Sequence, residues 1–273
     1  PGLPEGERST AMHQHPFLQE PAVYNAMSMA TDRPLLVEIG YGQAGKVGCS
    51  WVPAPEAFAS TFEGCDVQDI DGAKAMLDEA GIVDSDGDGV REHNGVPLSI
   101  LYQTSTNAVR QDFQALIKEW WEQIGFEVEL RNVDSSVFFG GDAGSPDTFQ
   151  KFYADVQMYA NTFNGTDPQS YLGNGLCANA PRPETQWQGE NISRFCMEEF
   201  DALHAELSAT ADMAERQRIG RELSAMMTDN GGMIPLVHRG RLSAHANTLG
   251  GVVLNVWDSE LWNVADWYRI ESN

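Results

Sequence analysis

The sequence predicts an α/β fold in which a mixed sheet is flanked by helices. Residues 96–104 ("VPLSILYQT") and 126–133 ("FEVELRNV") have the composition and alternation of half-buried strands. Between them, residues 107–125 place apolar side chains at helical spacing and end at Gly125. A strand, a long helix and a second strand form a βαβ unit, so we expect parallel strands and a right-handed crossover.

The remaining elements favour the same class. A helix follows Pro21, and Pro34 opens a second short helix at its first turn. Asp71 is positioned to cap a helix over 71–81, which ends at Gly81. Further patterns predict strands at 154–160, 232–239 and 250–257, and helices at 197–209 and 213–229.

The charge of the chain excludes several kinds of partner. Its 273 residues include 40 acidic and 17 basic residues, and the net charge is −23. Such an acidic surface repels DNA, RNA and anionic lipid. No apolar run approaches the roughly 20 residues that span a bilayer, so no membrane insertion is expected. Because residues 1–15 include neither an initiating Met nor a signal peptide, we predict an irregular segment from the interior of a longer protein.

Four cysteines, Cys49, Cys65, Cys177 and Cys196, lie in loop-like surroundings. None forms a CxxC pair and no histidine has zinc-finger spacing from them, so a structural zinc site is not predicted. Of the three possible pairings we predict the local one, Cys49–Cys65 with Cys177–Cys196. This pairing indicates an oxidising compartment. The alternative is four buried free thiols.

Motifs for catalysis are weak. "GYGQAG" at 40–45 matches the dinucleotide pattern GxGxxG, but helical sequence precedes it and Pro53 and Pro55 follow it, so we predict a loop and no cofactor. The six histidines lack a metalloprotease context, and the sequence has no nucleophile elbow. The sequence therefore predicts a protein that is not an enzyme, with a secreted α/β hydrolase as the alternative.

Residues 84–92 ("DSDGDGVRE") look like the first half of a calcium-binding loop. Asp84, Asp86 and Asp88 match the first three carboxylate positions, but the position that needs a bidentate Glu falls on Gly95. We therefore predict a Gly/Asp turn that joins the preceding helix to the following strand. Weak calcium binding at the three aspartates is the alternative.

A loop from Asn161 to about Ser193 is rich in Gly, Asn and Pro, and loops longer than about 15 residues are usually functional or pinned. Several rings lie in loops or at strand ends: Phe138, Phe139, Tyr159, Phe163, Tyr171, Trp187, Trp257 and Trp262. Near polar loop residues, such rings suit a pocket that stacks on a polar ligand and hydrogen-bonds to it. The alternative is that most of them pack in the core.

An ordered series of segments carries a resemblance to a known family. The segments are "EPAVYNAMSMATDR", "GKVGCSWVPAP", "AKAMLDEAGIVDSDGDGVREHNGVPLSI", "IGFEVEL", "GTDPQSYL", "WQGENISRFCMEEFDAL" and "IPLVHRGRLSAH". Together they resemble the C-terminal half of the extracellular solute-binding proteins of family 5, the peptide- and nickel-type binding components of ABC importers. The resemblance implies a type II periplasmic-binding-protein-like lobe at 16–256, with 257–273 returning toward a missing N-terminal lobe. It also implies a disulfide between Cys177 and Cys196.

The resemblance also implies a ligand site. In peptide binders of the family, an Asp shortly before a "DP"-type dipeptide binds the α-amino group of the ligand. The matching residue here is Asn164, which supplies no charge, so an oligosaccharide or opine becomes an alternative to peptide. The predicted ligand-binding residues are Asn161, Phe163, Asn164 and Asp167, with Trp187 as an outer candidate. The alternative is a loop that only packs on its own lobe.

The predicted function is that of a substrate-binding component of an ABC importer, which captures a peptide or another small polar solute. Closure of two lobes would bury the ligand, and the closed form would dock on the ABC permease subunits. The expected protein is a monomer in the periplasm or another extracytoplasmic compartment. A calcium-stabilised interaction domain is a further alternative.

Overall fold

The structure is a computed structural model that describes residues 15–62, 64–163, 165–240, 242–255 and 258–271. The helices are α1 (Pro21–Met29), α2 (Arg33–Gly40), α3 (Ile70–Glu79), α4 (Ala108–Gln123), α5 (Ser135–Phe138), α6 (Gln169–Leu172), α7 (Glu198–Ala209) and α8 (Met213–Asp229). The strands are β1 (Gly45–Val47), β2 (Glu92–His93), β3 (Val96–Pro97), β4 (Ser99–Ser105), β5 (Glu127–Val133), β6 (Val156–Met158), β7 (Val237–Arg239), β8 (Leu249–Gly250) and β9 (Tyr268–Arg269). Among the described helices, none combines the length and apolar character needed to cross a membrane.

A three-stranded parallel sheet organises the fold. The strand order is β5-β4-β6, and Tyr102 in the central strand is aligned with Leu130 on one side and Val156 on the other. Helix α4 connects β4 to β5, so the predicted βαβ unit and its parallel strands are confirmed. The antiparallel pairs form separate two-stranded sheets, β1 with β7, β2 with β3 and β8 with β9.

Two hydrophobic cores lie on different parts of the chain. The first packs α1 to α4 around the central sheet, with Met27, Tyr102 and Trp121 among its buried members. The second packs α7 and α8 against Trp51 and Phe58, which come from the segment between Cys49 and Cys65. Amphipathic helices bury their apolar faces in this way because each buried side chain contributes roughly 1.5–3 kcal/mol.

The capping residue of α3 differs from the predicted one. Asp69, not Asp71, is the cap, and its Oδ1 accepts a hydrogen bond from the backbone N–H of Gly72 at 2.7 Å. The side chain of an N-cap residue reaches the backbone N–H two or three residues further on. Since the helix begins at Ile70, Asp71 lies inside its first turn.

Three predicted strands are shorter than expected. In 154–160 only Val156–Met158 is a strand. In 232–239 only β7 is paired, because Pro235 has no backbone N–H to donate to a neighbouring strand. In 250–257, pairing stops at Gly250, because Gly251 has a φ of +80° that turns the chain away from the extended conformation. Val256 and Trp257 lie outside the described residues.

Both predicted disulfides are present. Cys49 is bonded to Cys65 and Cys177 to Cys196, with Cα–Cα distances of 5.8 and 4.7 Å. The first bond closes the segment that supplies Trp51 to the second core. The second bond anchors the end of the long loop that precedes α7.

Arg33 ties three segments of the chain together. Its side chain is 1% exposed, and its guanidinium donates to the backbone oxygens of Pro235 at 2.8 Å and Cys65 at 3.2 Å. It also donates to the backbone oxygen and the hydroxyl of Ser28 at 3.1 and 2.7 Å. Burial lowers the pKa of Arg33 to about 10. A buried cation is thus satisfied by carbonyl and hydroxyl oxygens of its own chain.

The acidic stretch at 84–92 is an exposed turn. Asp84 accepts hydrogen bonds from the backbone N–H groups of Gly87 and Gly89 at 2.7 and 2.9 Å. Asp86 accepts from the N–H of Asp88, and Asp88 accepts from the N–H of Val90. These side chains stabilise the turn by the local bonds that Asx turns use. With Glu92, the three aspartates place one carboxylate oxygen each within 4.8 Å of one another, so calcium binding there stays an untested alternative.

Candidate functional site

A large open cleft of about 2220 Å³ is bounded by both hydrophobic cores. Tyr102 and Trp121 line it from the first core, and Trp51 and Phe195 line it from the second. Its volume exceeds the roughly 300–1,000 Å³ of ordinary small-molecule pockets. A cleft of this size suits an extended solute or a site completed by further protein.

Two of the predicted ligand-binding residues line this cleft. Asn161 is exposed there, and Phe163 packs edge-on against Tyr171 with 5.5 Å between ring centroids. Asn164, which follows directly, lies outside the described residues. The structure therefore brings Asn161 and Phe163 to the same wall.

Asp167 and Trp187 are used elsewhere in the chain. Asp167 forms an ion pair with Arg216 at 2.8 Å and accepts a hydrogen bond from the backbone N–H of Gln169, the first residue of α6, at 3.0 Å. Trp187 is buried, with the ammonium of Lys151 5.4 Å above its ring. Neither residue lines the cleft. The carboxylate of Asp167 is therefore used to position Arg216 and the start of α6.

Of the rings that the sequence singled out, three line the cleft: Tyr159, Phe163 and Tyr171. Phe138, Phe139, Trp187 and Trp262 do not, and Trp257 lies outside the described residues. Trp51 adds a ring that sequence reasoning missed, and its centroid is 5.2 Å from that of Tyr171. We call Trp51, Tyr159, Phe163 and Tyr171 the aromatic wall.

The two tyrosines of the aromatic wall keep their protons over the physiological range. Burial raises the pKa of Tyr171 to about 12, although the Trp51 indole opposes the shift. Burial also raises the pKa of Tyr159 strongly, and Tyr171 and Glu190 raise it further. Both hydroxyl groups are therefore neutral, and each can donate a hydrogen bond as well as accept one.

Methionines form much of the remaining apolar surface. The chain has 10 of them, and Met27, Met158, Met197, Met227 and Met233 line the cleft. Methionine side chains are flexible and polarisable, so they adapt to apolar groups of different shape. This lining favours a site that accepts more than one side chain or ring on its ligand.

Two arginines, Arg110 and Arg239, line the cleft. Arg110, in the first turn of α4, donates to the hydroxyl of Ser105 at 2.7 Å, and its guanidinium is 5.6 Å from the ring centroid of Phe139. Burial lowers the pKa of Arg110, Tyr41 opposes the shift, and the nearby Arg239 lowers the pKa further. We call Arg110 and Arg239 the arginine pair.

The arginine pair has no acidic partner in the described part of the chain. No described carboxylate lies within ion-pair distance of Arg110 or Arg239. The helix dipole of α4 also disfavours a cation in its first turn. An anion bound at this position would reduce the repulsion between the two cations.

His238 lies on the adjacent strand β7 and also faces the cleft. Its Nε2 is 2.9 Å from the backbone oxygen of Ser50, and it is aligned with Lys46 on β1. Burial lowers the pKa of His238; the Ser50 hydrogen bond opposes the shift, and Lys46 lowers the pKa further. The imidazole is therefore neutral at pH 7 and donates to Ser50 from Nε2.

The comparisons with known proteins agree on one family. The sequence profile described as "Bacterial extracellular solute-binding proteins, family 5 Middle" matches residues 8–180, and the chain belongs to this family. It is 22% identical over 252 residues to the glutathione-binding protein GsiB of Escherichia coli (strain K12), covering 92% of this chain and 45% of that protein. The resemblance predicted from the ordered segments is confirmed.

Solved structures show the fold. The oligopeptide-binding protein AppA from Bacillus subtilis, in complex with a nonapeptide, superposes with a TM-score of 0.72 at 18% identity, over 94% of this chain and 49% of that one. The murein tripeptide binding protein MppA from Escherichia coli gives 0.73 at 18% identity, over 97% and 48%. The α/β, periplasmic-binding-protein-like class is thereby confirmed, and the chain spans about half the length of these relatives.

Proposed function

We propose that this chain is part of the substrate-binding component of an ABC importer, and that its cleft captures a small polar solute that carries a carboxylate. The observation that carries the proposal is the arginine pair, which faces a ligand-sized cleft without an acidic partner among the described residues. Arginine is suited to this task because its planar guanidinium donates two parallel hydrogen bonds to a carboxylate.

The charge distribution supports an anionic group on the ligand. Among the described residues that line the cleft, four are basic, Lys46, Arg110, Arg194 and Arg239, and three are acidic, Asp155, Glu190 and Asp258. The described lining therefore carries a slight excess of positive charge, whereas the chain as a whole has a net charge of −23. A positive excess in a cleft favours a ligand with an anionic group.

Peptides fit this cleft better than neutral oligosaccharides. The aromatic wall and the methionines offer apolar surface for side chains, and the arginine pair offers a site for a terminal carboxylate. A neutral sugar would offer the arginine pair no anion to bind. Opines also carry a carboxylate, so the ligand screen described below includes them as a second ligand class.

The remainder of the site and the partners follow from the family. We infer that residues 16–256 form one lobe, that 257–273 lead toward a second lobe, and that closure of the two buries the solute. The C-terminal part supports this arrangement because Leu254, Leu261, Trp262 and Tyr268 are each about half exposed or more. The liganded protein would then dock on ABC permease subunits as a monomer, in the periplasm or another extracytoplasmic compartment, and would perform no catalysis.

The test is a ligand screen on the full-length protein by thermal shift, with dipeptides, tripeptides, opines and neutral oligosaccharides. We expect peptides or opines to raise the melting temperature, because a ligand at 100 times its Kd adds about 2.7 kcal/mol of stability. If only oligosaccharides raised the melting temperature, the proposal that the ligand carries a carboxylate would be wrong. Turnover of a chromogenic ester without any shift would favour a hydrolase instead.

A further inference from the structure

Trp51 contributes a largely buried ring to the aromatic wall. The residue is 6% exposed, and its ring centroid lies 5.2 Å from that of Tyr171 and 6.3 Å from that of Phe200. Contacts between aromatic rings depend on their distance and orientation. What the Trp51 ring offers a ligand therefore depends on how the backbone at residue 51 is held.

Ser224, a fully buried residue of α8, forms hydrogen bonds with the residues on both sides of Trp51. Its Oγ lies 3.0 Å from Oγ of Ser50 and accepts from the backbone N–H of Val52 at 3.4 Å. It also accepts from the hydroxyl of Ser60 at 2.9 Å, and the N–H of Ser60 donates to Oγ of Ser50 at 3.1 Å. The two donors use both lone pairs of the Ser224 hydroxyl, so its own proton is directed at Ser50.

Other contacts keep the same segment on α8. The disulfide between Cys49 and Cys65 closes the segment. Phe58 packs so closely on α8 that a Cβ added to Gly220 would be 2.7 Å from its ring. Because these contacts do not involve the Ser224 hydroxyl, its loss would loosen the backbone beside the aromatic wall without releasing the segment from the helix.

Ser224 is not among the described residues that line the cleft. Its hydroxyl therefore acts on the cleft through the backbone that carries Trp51. Side chains of a binding site are held in place by hydrogen bonds from the layer of residues behind them. A ring that is held before the ligand arrives also loses less entropy on binding.

We propose that Ser224 is a positioning residue of the cleft, whose hydroxyl holds Trp51 in the orientation that receives an aromatic ring of the ligand. The inference rests on the proposed function and deepens it, because it identifies a residue that controls the preference for ligands with an aromatic ring. Removal of the hydroxyl should change which ligands are preferred, whereas a merely structural role would weaken the binding of every ligand alike.

The experiment measures Kd by calorimetry on the full-length protein for Ala-Phe and Ala-Ala. We expect the wild type to bind Ala-Phe about 3- to 10-fold more tightly, the range of one aromatic contact. Ser224→Ala and Trp51→Leu should each lose most of this preference and change the Kd for Ala-Ala by less than about twofold. In the double variant, Ser224→Ala should add less than about twofold to the effect of Trp51→Leu, because both changes remove the same contact.

The matched control is Thr228→Val, which removes a hydroxyl one turn further along α8. The Thr228 hydroxyl lies 3.3 and 3.0 Å from the backbone oxygens of Ser224 and Ala225, within its own helix, and Thr228 is not among the described lining residues. Its preference for Ala-Phe should equal that of the wild type. Ser60→Ala removes only one donor to Ser224, so it should lower the preference even if Ser224→Ala does not fold.

The outcomes separate this inference from the proposed function. If Ser224→Ala weakens both peptides equally, or if its effect is undiminished in the Trp51→Leu background, Ser224 does not position Trp51 for the ligand. The inference is also wrong if the wild type binds the two peptides equally or binds neither of them. The proposed function itself fails only if no member of the wider ligand screen binds.

Discussion

Arg33 and the arginine pair show how one residue type serves two purposes in one chain. Arg33 is buried in the first core, and its hydrogen bonds go to three segments of its own chain. Arg110 and Arg239 face the cleft, lie close enough to repel each other and have no carboxylate partner among the described residues. A charge that the fold already satisfies stabilises the fold, whereas a charge that it leaves unsatisfied is available for a ligand.

The acidic turn at 84–92 resembles Arg33, because its charged side chains also form hydrogen bonds within the fold. Its aspartates accept hydrogen bonds from the backbone of the turn itself, so each of them already stabilises the fold. The number of charged residues in a motif is thus a poorer guide to function than the partners those residues already have.

The largest effect on stability is expected from Arg33→Ala. The change leaves the carbonyls of Pro235 and Cys65 buried without a donor, and we expect a loss of about 3 kcal/mol in the free energy of unfolding. Urea denaturation of the wild type and the variant measures this loss. An unchanged midpoint of urea denaturation would show that Arg33 does not stabilise the protein.

The next effect is on binding rather than on stability. We expect Arg110→Gln to weaken the binding of a carboxylate-bearing peptide by about 10- to 100-fold, because a charge-assisted hydrogen bond is lost. The free energy of unfolding should change by less than about 1 kcal/mol. Arg221→Gln is the matched control, since Arg221 is exposed on α8, lies outside the cleft and donates only to the backbone of Ala57 among the described residues.

Asp167→Asn tests a predicted ligand residue that the structure places outside the cleft. The Arg216 pair is partly exposed, with 38% of the Asp167 side chain accessible, so we expect a loss of about 1 kcal/mol or less in stability. The Kd for peptides should stay within about twofold, because the carboxylate is held by Arg216 and the α6 N-terminus. A tenfold loss of affinity with unchanged stability would show that Asp167 does bind the ligand.

The smallest expected effect is a pH dependence from His238. Because the pKa of His238 is lowered in the folded protein, the unfolded state binds a proton at a higher pH than the folded state does. The contribution of neutral His238 to stability is therefore present above the pKa of the unfolded state, near 6.5. It is lost as the pH falls through the lower pKa of the folded state. Unfolding at pH 7.5 and 5.5 should show a smaller acid-induced loss in His238→Gln than in the wild type. An identical loss in both proteins would contradict the assignment.

Most helices and strands could be predicted from local sequence patterns. The βαβ unit, α7 and α8 were predicted within a few residues, because amphipathic spacing reports which face is buried. Both disulfides were predicted as local pairs, and the structure has them. The strands predicted at 232–239 and 250–257 were too long, because strand pairing depends on a partner strand that the local sequence does not specify.

The site was less predictable than the fold. Asn161 and Phe163 line the cleft, and their role as ligand-binding residues stays a prediction. The arginine pair was missed because Arg110 lies on α4 and Arg239 on β7, 129 positions apart, and no local pattern links them. Asp167 was proposed because of the dipeptide it forms with Pro168. Its partner Arg216 lies on α8, and no local pattern links the two.

The most direct test of the account is a calorimetric comparison of Ala-Phe with Ala-Phe amide on the full-length wild type and on Arg110→Gln. The amide lacks the terminal carboxylate and differs in little else. We predict that the wild type prefers the free carboxylate by at least about tenfold and that Arg110→Gln prefers it by less than about threefold. Equal preference in both proteins would show that the arginine pair does not bind the carboxylate of the ligand.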